Sequence, residues 1–150
     1  MKKTQYLLIL GFIFLSAFKL KDTADKKGTL CIKVKGIKEL KGKIGILVFN
    51  REEGFPNKEE QAVLRKEVKV NGKQMRIDLE DVPFGNYAIA VVHDVNANQL
   101  LDKNFLGIPK EPFGFSNTKS IFLGLPAFEE ASINFDQAQQ ETVVELINLN

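Results

Sequence analysis

From Thr29 onward, apolar residues recur at every second position, in short runs separated by Gly, Pro, Asn and Asp. Alternate residues of a β-strand point to opposite faces, so a period of two predicts half-buried strands, whereas an amphipathic helix repeats every 3.6 residues. About seven such runs, spaced by turn residues, predict an all-β fold, a single immunoglobulin-like or transthyretin-like β-sandwich. The length of 150 residues suits one domain.

The expected strands are residues 30–34, 43–49, 68–70, 75–79, 87–93, 131–135 and 143–149. Asn71-Gly72 predicts a hairpin between the third and fourth runs, because both residues accept the positive φ of a type I′ turn. The run 87–93 is almost continuously apolar, which predicts a central strand buried on both faces. A short helix is expected within 58–64. Residues 93–117 lack periodicity but are rich in Phe, Leu and Ile, so they predict a long ordered Ω-like loop.

The N-terminus predicts export. Lys2 and Lys3 precede an uncharged, largely apolar stretch at 4–18, which is the layout of a secretory signal peptide and is too short to span a bilayer. We expect a signal peptide at 1–17 with cleavage after Ala17, or at the latest near Ala24. A flexible leader would follow at 18–28 and the β-sandwich domain at 29–150. Cleavage leaves no membrane span and a periplasmic or extracellular protein; the alternatives are an uncleaved anchor and a buried helix.

Composition excludes several functional classes. Hydrophobic residues make up 44% of the chain and charged residues 27%, as in an ordinary globular domain. A net charge of +2 is too small to predict nucleic-acid binding. One Cys and one His exclude an intramolecular disulfide and a multi-His metal site. Cys31 alternates with Leu30 and Ile32, so we expect a buried, unreactive thiol.

The loop after residue 93 holds a candidate Ca²⁺ site. Its expected ligands are Asp94, Asn96, Asn98, the backbone carbonyl of Leu100, and Asp102, at positions 1, 3, 5, 7 and 9 of an EF-hand-like register. Gln99 and Phe105 stand where Gly and a bidentate Glu normally complete such a site, so the expected dissociation constant is roughly 10⁻⁴–10⁻³ M. The alternative is a loop without metal, held by Asx turns at Asp94, Asn96 and Asn98.

The same loop supplies the other candidate binding residues, which are His93, Asn104, Glu111, Phe113, Phe115 and Asn117. His93 and Asp94 are the residue types of an acid–base pair. Adjacent side chains of a strand point to opposite faces, however, so we expect the two not to meet, and no catalytic residue is assigned. The three aromatic residues Phe105, Phe113 and Phe115 fit either a ligand-binding patch or anchors of the loop.

Several motifs occur in a familiar order. They are the run from Asp81 to Asn98, Leu101-Asp102, the run from Leu106 to Glu111, the run from Gly114 to Asn117, and the run from Pro126 to Ala131. Together they resemble the bacterial exported family called domain of unknown function 2141, over roughly residues 29–150. Gln99-Leu100 stands in place of an expected Gly-Lys, and Phe113 in place of Tyr. The resemblance implies an exported single β-domain and no particular activity.

Three functional hypotheses follow. The first is an exported non-enzymatic binding or surface module, with a ligand or cell-envelope protein as its partner and Ca²⁺ as its only candidate cofactor. The alternative is a metal-dependent or His/Asp-based hydrolase centred on His93, Asp94, Asp102 and Glu111, which requires these side chains to converge in a pocket. The third is a structural module of the cell surface. The sequence leaves the oligomeric state open.

Overall fold

The computed structural model describes residues 26–99, 105, 109–118, 121 and 124–149. Within them, the strands are β1 (Lys27–Lys35), β2 (Lys43–Phe49), β3 (Leu64–Lys69), β4 (Met75–Pro83), β5 (Gly85–Asp94), β6 (Phe113–Phe115), β7 (Ser132–Phe135) and β8 (Gln139–Glu145). The predicted signal peptide at 1–17 lies outside the described residues, as does most of the predicted leader. The last two leader residues instead belong to β1, because Lys27 and Gly28 pair with the end of β4.

The strands form two sheets that pack face to face. The first has the order β4-β1-β8, in which β1 is antiparallel to β4 and parallel to β8. In the second, β2 lies between β3 and β5. The other edge of β5 is shared by two strands, with β7 opposite residues 85–88 and β6 opposite residues 90–92. The predicted β-sandwich is confirmed.

Alternating side chains fill the space between the sheets, as the period of two predicts. The first sheet contributes Leu30, Ile32, Val34, Met75, Ile77, Leu79 and Val144, and the second contributes Ile44, Ile46, Val48, Ile89, Val91 and Phe135. The intervening residues of β5 are apolar too. Ala88 and Ala90 belong to a second cluster, with Phe49, Phe113 and Phe115, on the outer face of the second sheet. The prediction that 87–93 forms a strand buried on both faces is therefore confirmed.

The predicted hairpin at Asn71-Gly72 is wrong. Strand β3 pairs with β2 and β4 pairs with β1, so residues 70–74 carry the chain from one sheet to the other. Neither Asn71 nor Gly72 has a positive φ. The physical reason is that both runs have an apolar face to bury. Val70 and Met75 face the same core from opposite sheets, and an in-plane hairpin would not place them so.

Two expectations about the C-terminal third also need correction. The segment 93–117 contains a strand, β6, which is too short to show a period of two. The final strand is Gln139–Glu145 rather than 143–149, because its first half is polar and carries no apolar signal. Beyond its end, Ile147 exchanges two backbone hydrogen bonds with Phe113, with N···O distances of 2.7 and 3.1 Å. These bonds join β6 to the chain that leaves the first sheet.

The helices are short. The helix expected within 58–64 is a single 3₁₀ turn at Glu59–Gln61. One α-helical turn, α1 (Phe128–Ala131), precedes β7. In the part of the chain that the structure describes, no helix has the length and apolar character needed to cross a membrane.

Candidate functional site

The second sheet presents an apolar outer face. Strand register places two rows of side chains across it, Arg65, Leu47, Ala90 and Phe115 in one and Glu67, Gly45, Val92 and Phe113 in the other. Each row passes from a charged residue on β3, through small or aliphatic residues, to an aromatic residue on β6. The outer face therefore has one charged edge and one aromatic edge.

A groove of about 840 Å³, here called the outer-face groove, lies over these rows. Its described lining includes Leu47, Val92, Phe113, Phe115, Ile121 and Leu125. Gly45 leaves its floor open, since among the described residues a Cβ added there would meet only the Val92 carbonyl oxygen, at 3.9 Å. Small-molecule sites are mostly apolar concavities of roughly 300–1,000 Å³. The groove thus has the size and the lining of a ligand site.

An aromatic cluster covers the part of the outer face beside the groove. The Phe55 ring lies 5.5 Å from that of Phe49 and 5.9 Å from that of Phe115, in edge-to-face arrangements. Phe128 of α1 packs on Phe55 from the other side, at 6.0 Å. Such pairs resist displacement because the edge of one ring meets the face of the next. The cluster gives the groove a fixed wall.

Ion pairs occupy the charged edge. Arg65 lies 3.1 Å from Glu59, and Lys43 lies 2.8 Å from Glu67. The hydrogen bond to Glu67 raises the pKa of Lys43 above its ordinary value. These four charges are matched in pairs, while Lys66, which also lines the groove, donates to the Asp78 carbonyl oxygen at 2.8 Å.

The candidate Ca²⁺ loop begins at Asp94, which is largely buried. Its two carboxylate oxygens accept backbone N–H bonds from Asn98 at 3.1 Å and Gln99 at 2.8 Å. Asn96 Oδ1 accepts from the Asn98 N–H as well, at 3.1 Å. These bonds are the Asx-type contacts that hold such a loop without a cation.

The ion site itself stays a prediction. Leu100 and Asp102 lie outside the described residues, so two of the five expected ligands have no described position. Asn104, one of the other candidate binding residues, also lies outside them. Among the residues that are described, no three His, Cys, Asp or Glu side chains are grouped to hold a metal.

His93 and Glu111 lie on the other side of β5, beside a second cleft of about 420 Å³. His93 Nε2 is 2.8 Å from the Lys41 carbonyl oxygen, and because a carbonyl only accepts, Nε2 carries the proton. Nδ1 is buried and has no hydrogen-bond partner among the described residues. Glu111 Oε1 accepts the Val95 N–H at 3.0 Å and so ties the start of the loop to its end.

This arrangement does not assemble the pair that the hydrolase hypothesis needs. Asp94 lines the outer-face groove, while His93 faces the opposite side of the strand, as the strand geometry predicts. His93 is 0% exposed, so its imidazole has no surface on which to meet a substrate. Asp102, the other predicted carboxylate, lies outside the described residues.

The other candidate binding residues do not all lie in the groove. Phe113 and Phe115 line the groove, whereas Asn117 is exposed and its Nδ2 donates to the Glu130 carbonyl oxygen at 3.1 Å. Sequence reasoning missed Gly45, Leu47, Ala90 and Val92, which also line the groove. The sequence indicated these residues by the apolar side chains on both faces of β2 and β5. Only the strand order shows that the described residues leave part of the outer face of the second sheet uncovered.

The fold and the groove define a one-domain β-sandwich whose described residues leave an apolar groove on the outer face of the second sheet. The family model described as "Uncharacterized protein conserved in bacteria (DUF2141)" matches residues 32–143. This match spans most of the chain, so the protein belongs to that family, and the family expected from the sequence motifs is confirmed. No match was found among curated proteins or among solved structures.

Proposed function

We propose that this protein is an exported, non-enzymatic binding module that holds a small apolar ligand in its outer-face groove. The observation that carries the proposal is the open floor at Gly45, which is followed across the sheet by the aliphatic side chain of Val92 and then by the aromatic wall at Phe113 and Phe115. An apolar ligand placed there removes its own surface and that of the groove from water.

The chemistry of the lining indicates the kind of ligand. The floor and wall are apolar, and four charges at the edge are neutralised in pairs at Arg65–Glu59 and Lys43–Glu67. The other two charged residues of the lining, Lys66 and Asp94, are held by hydrogen bonds to backbone groups. The ligand is therefore an uncharged aliphatic or aromatic body, such as an alkyl chain or a fused ring. Burying its surface favours binding by about 25 cal/mol for each Å².

Binding is tested by titrating the protein with anilinonaphthalene sulfonate, a dye that fluoresces in apolar sites, and by displacing the dye with a long-chain alcohol. In Gly45→Val, the added side chain occupies the open floor without a backbone clash. Dye affinity is expected to fall at least about tenfold, since each 1.4 kcal/mol of lost contact is a factor of ten.

The matched control is Gly85→Val, at a strand glycine whose added Cβ would meet only the Tyr87 ring, at ordinary contact distance. This variant is expected to bind the dye like the wild type. Equal dye affinity in all three proteins, or no displacement by the alcohol, would refute a site in the groove.

Export is the second part of the proposal and rests on Lys2 and Lys3 followed by the apolar stretch 4–18. N-terminal sequencing of the protein recovered from the cell envelope and the medium tests it. The expected first residue is Phe18. An intact Met1 in protein retained in the cytoplasm would contradict export.

A further inference from the structure

Strand β4 forms one edge of the first sheet. It pairs with β1 along one side, in unbroken register over residues 75–79, and no described strand lies along its other side. An edge strand leaves a row of backbone N–H and C=O groups without strand partners, which is a template for a further strand. Since β4 is nine residues long and its proline, Pro83, comes last, this edge has the length to take one.

A contact of Lys66 shows which backbone groups of β4 face the open edge. Lys66, on β3 of the other sheet, donates from Nζ to the Asp78 carbonyl oxygen at 2.8 Å. A carbonyl bonded to β1 would lie between the two strands, so this one points away from β1. The direction alternates along a strand, so Arg76 also presents its N–H and C=O to the open edge, whereas Ile77 bonds to β1.

We propose that two copies of this protein pair antiparallel through their β4 edges, around a two-fold axis at Ile77. In this register Arg76 of each copy lies opposite Asp78 of the other. The outward backbone groups of both residues then meet, and each pair exchanges its two N–H···O=C bonds. The two Ile77 residues face each other on the axis, on the core side, so the apolar cores of the two sandwiches come into contact.

The charges and the backbone together select this register. A slip of two residues places Asp78 opposite Asp78 in one direction and Arg76 opposite Arg76 in the other, and like charges directly opposite are destabilising. A slip of one residue sets the outward backbone groups of one copy against groups that already bond to β1 in the other. Only the axis at Ile77 matches both the charges and the hydrogen bonds.

The ion pairs already present within one chain are kept in the pairing. Arg76 Nε lies 3.2 Å from Asp78 Oδ1, and Arg76 Nη1 lies 3.6 Å from Glu141 Oε2. The Arg76 and Asp78 side chains are still 51% and 44% exposed, so each can meet a second charge. Around the axis, two arginines and two aspartates alternate. Each has one opposite charge on its own strand and gains another across the interface.

The other edge strands lack this complementarity. Strand β3 carries Arg65, Lys66 and Lys69 against the single acid Glu67, so two copies of it repel each other. Strand β8 carries acidic residues and no basic one. A second copy of the chain therefore fits β4 and not the other two.

Lys66 opposes the pairing. Its ammonium holds the Asp78 carbonyl oxygen that must accept the Arg76 N–H of the second copy, and lysines at edge strands are a common means of limiting association. The dimer forms when Lys66 releases this oxygen. Lys66→Ala is therefore expected to dimerise more tightly than the wild type.

Sedimentation velocity of the full chain over a range of concentrations tests the proposal, with a pair of charge reversals. Arg76→Asp leaves only acidic residues at the axis, and Asp78→Arg leaves only basic ones. Each variant alone is expected to lose dimer affinity about tenfold or more, because like charges then lie opposite across the interface. An equal mixture of the two is expected to recover a dimer, since every pair across the axis is again an arginine with an aspartate.

The mixture separates pairing from folding, because mixing restores no contact within either chain. The matched control is Lys35→Asp, on β1 opposite Glu145 of β8 and away from the β4 edge. This variant is expected to keep the dimer affinity of the wild type within about twofold, as exposed charges outside an interface contribute little.

Cross-linking tests the register. Opposite residues that are not hydrogen-bonded to each other have Cα atoms about 4.5 Å apart, which suits a disulfide. Ile77→Cys is therefore expected to form a covalent dimer on mild oxidation. In Leu79→Cys the two thiols would lie on strand positions roughly 13 Å apart, at about 3.3 Å for each residue, and no such dimer is expected.

Three results would overturn the proposal. The first is a wild type and a Lys66→Ala variant that both remain monomeric at every concentration. The second is a dimer that survives both charge reversals, or a mixture of the two variants that stays monomeric. The third is a disulfide that forms as readily in Leu79→Cys as in Ile77→Cys.

Discussion

The side chains of His93 and Asp94, adjacent in the chain, lie on opposite faces of β5. His93 meets the Lys41 carbonyl oxygen on the inner side, and Asp94 caps the following loop on the side of the outer-face groove. Because the two side chains do not meet, each has a structural contact of its own. The outer-face groove is then the feature that has the size and lining of a ligand site.

Replacing Asp94 is expected to destabilise the protein. In Asp94→Ala, the Asn98 and Gln99 N–H groups lose their acceptor, at a cost of about 1–3 kcal/mol. Urea unfolding in the presence of a chelator measures this loss, because the hydrogen bonds need no cation. Glu80→Ala, at an exposed position on β4, is the control and should change the free energy of unfolding by less than about 0.5 kcal/mol.

The candidate Ca²⁺ site predicts an additional effect in the same experiment. At a dissociation constant of roughly 10⁻⁴–10⁻³ M, millimolar Ca²⁺ should stabilise the wild type by about 0.4–1.4 kcal/mol and Asp94→Ala not at all. If Asp94→Ala loses the same free energy of unfolding with and without Ca²⁺, the ion site is contradicted and the loop is held by its hydrogen bonds alone.

Ser116 is a second polar residue with a structural role. Its buried hydroxyl donates to the Ala131 carbonyl oxygen at 2.5 Å and accepts the Ile89 N–H at 2.9 Å, so it joins β5 to α1. Ser116→Ala leaves that N–H buried without a partner, which is expected to cost about 1–3 kcal/mol. Ser132→Ala, which removes one half-buried hydroxyl contact to Phe128, is the matched variant. The idea fails if urea unfolding shows equal losses in both.

Glycines on the two faces of the second sheet should respond oppositely to the same change. A Cβ at Gly114 would lie 2.4 Å from the Glu145 carbonyl oxygen, a backbone atom that cannot rotate away. Gly114→Ala is therefore expected to destabilise the protein by about 1–3 kcal/mol. Gly45→Ala meets open space and should stabilise β2 by about 0.5–1 kcal/mol. Thermal unfolding of the two variants measures the contrast, and a stabilised Gly114→Ala would contradict the close approach of β6 and β8.

Burial, followed by the hydrogen bond to Asp78, raises the pKa of the Cys31 thiol to about 12. The native thiol is expected to resist alkylation at pH 8, so that labelling follows unfolding. Because the folded pKa is the higher one, this group's contribution to stability is complete below the unfolded pKa of about 9.0 and declines as the pH rises towards 12. In urea unfolding, the free energy of unfolding of Cys31→Ala should fall less steeply over that range of pH than that of the wild type. Rapid labelling of the thiol in the native protein would contradict the prediction.

Features that depend on neighbouring residues in the chain were predicted correctly, and features that depend on contacts between distant residues were not. Strand β2 was predicted at its observed bounds and β5 within a few residues, because alternation of side chains is a local property of each strand. The turn at Asn71-Gly72 was mispredicted, since the local preference of two residues yields to the burial of Val70 and Met75 in a core built by both sheets.

The candidate site divides in the same way. The sequence by itself determined that the chain is an all-β domain, that it belongs to its family, and that Phe113 and Phe115 lie in a packed segment. Only the tertiary structure decided that these rings share a face with Gly45 and Val92, because strand order and register depend on contacts between distant residues. The open floor at Gly45 exists because no described side chain covers that part of the sheet, which local periodicity does not encode.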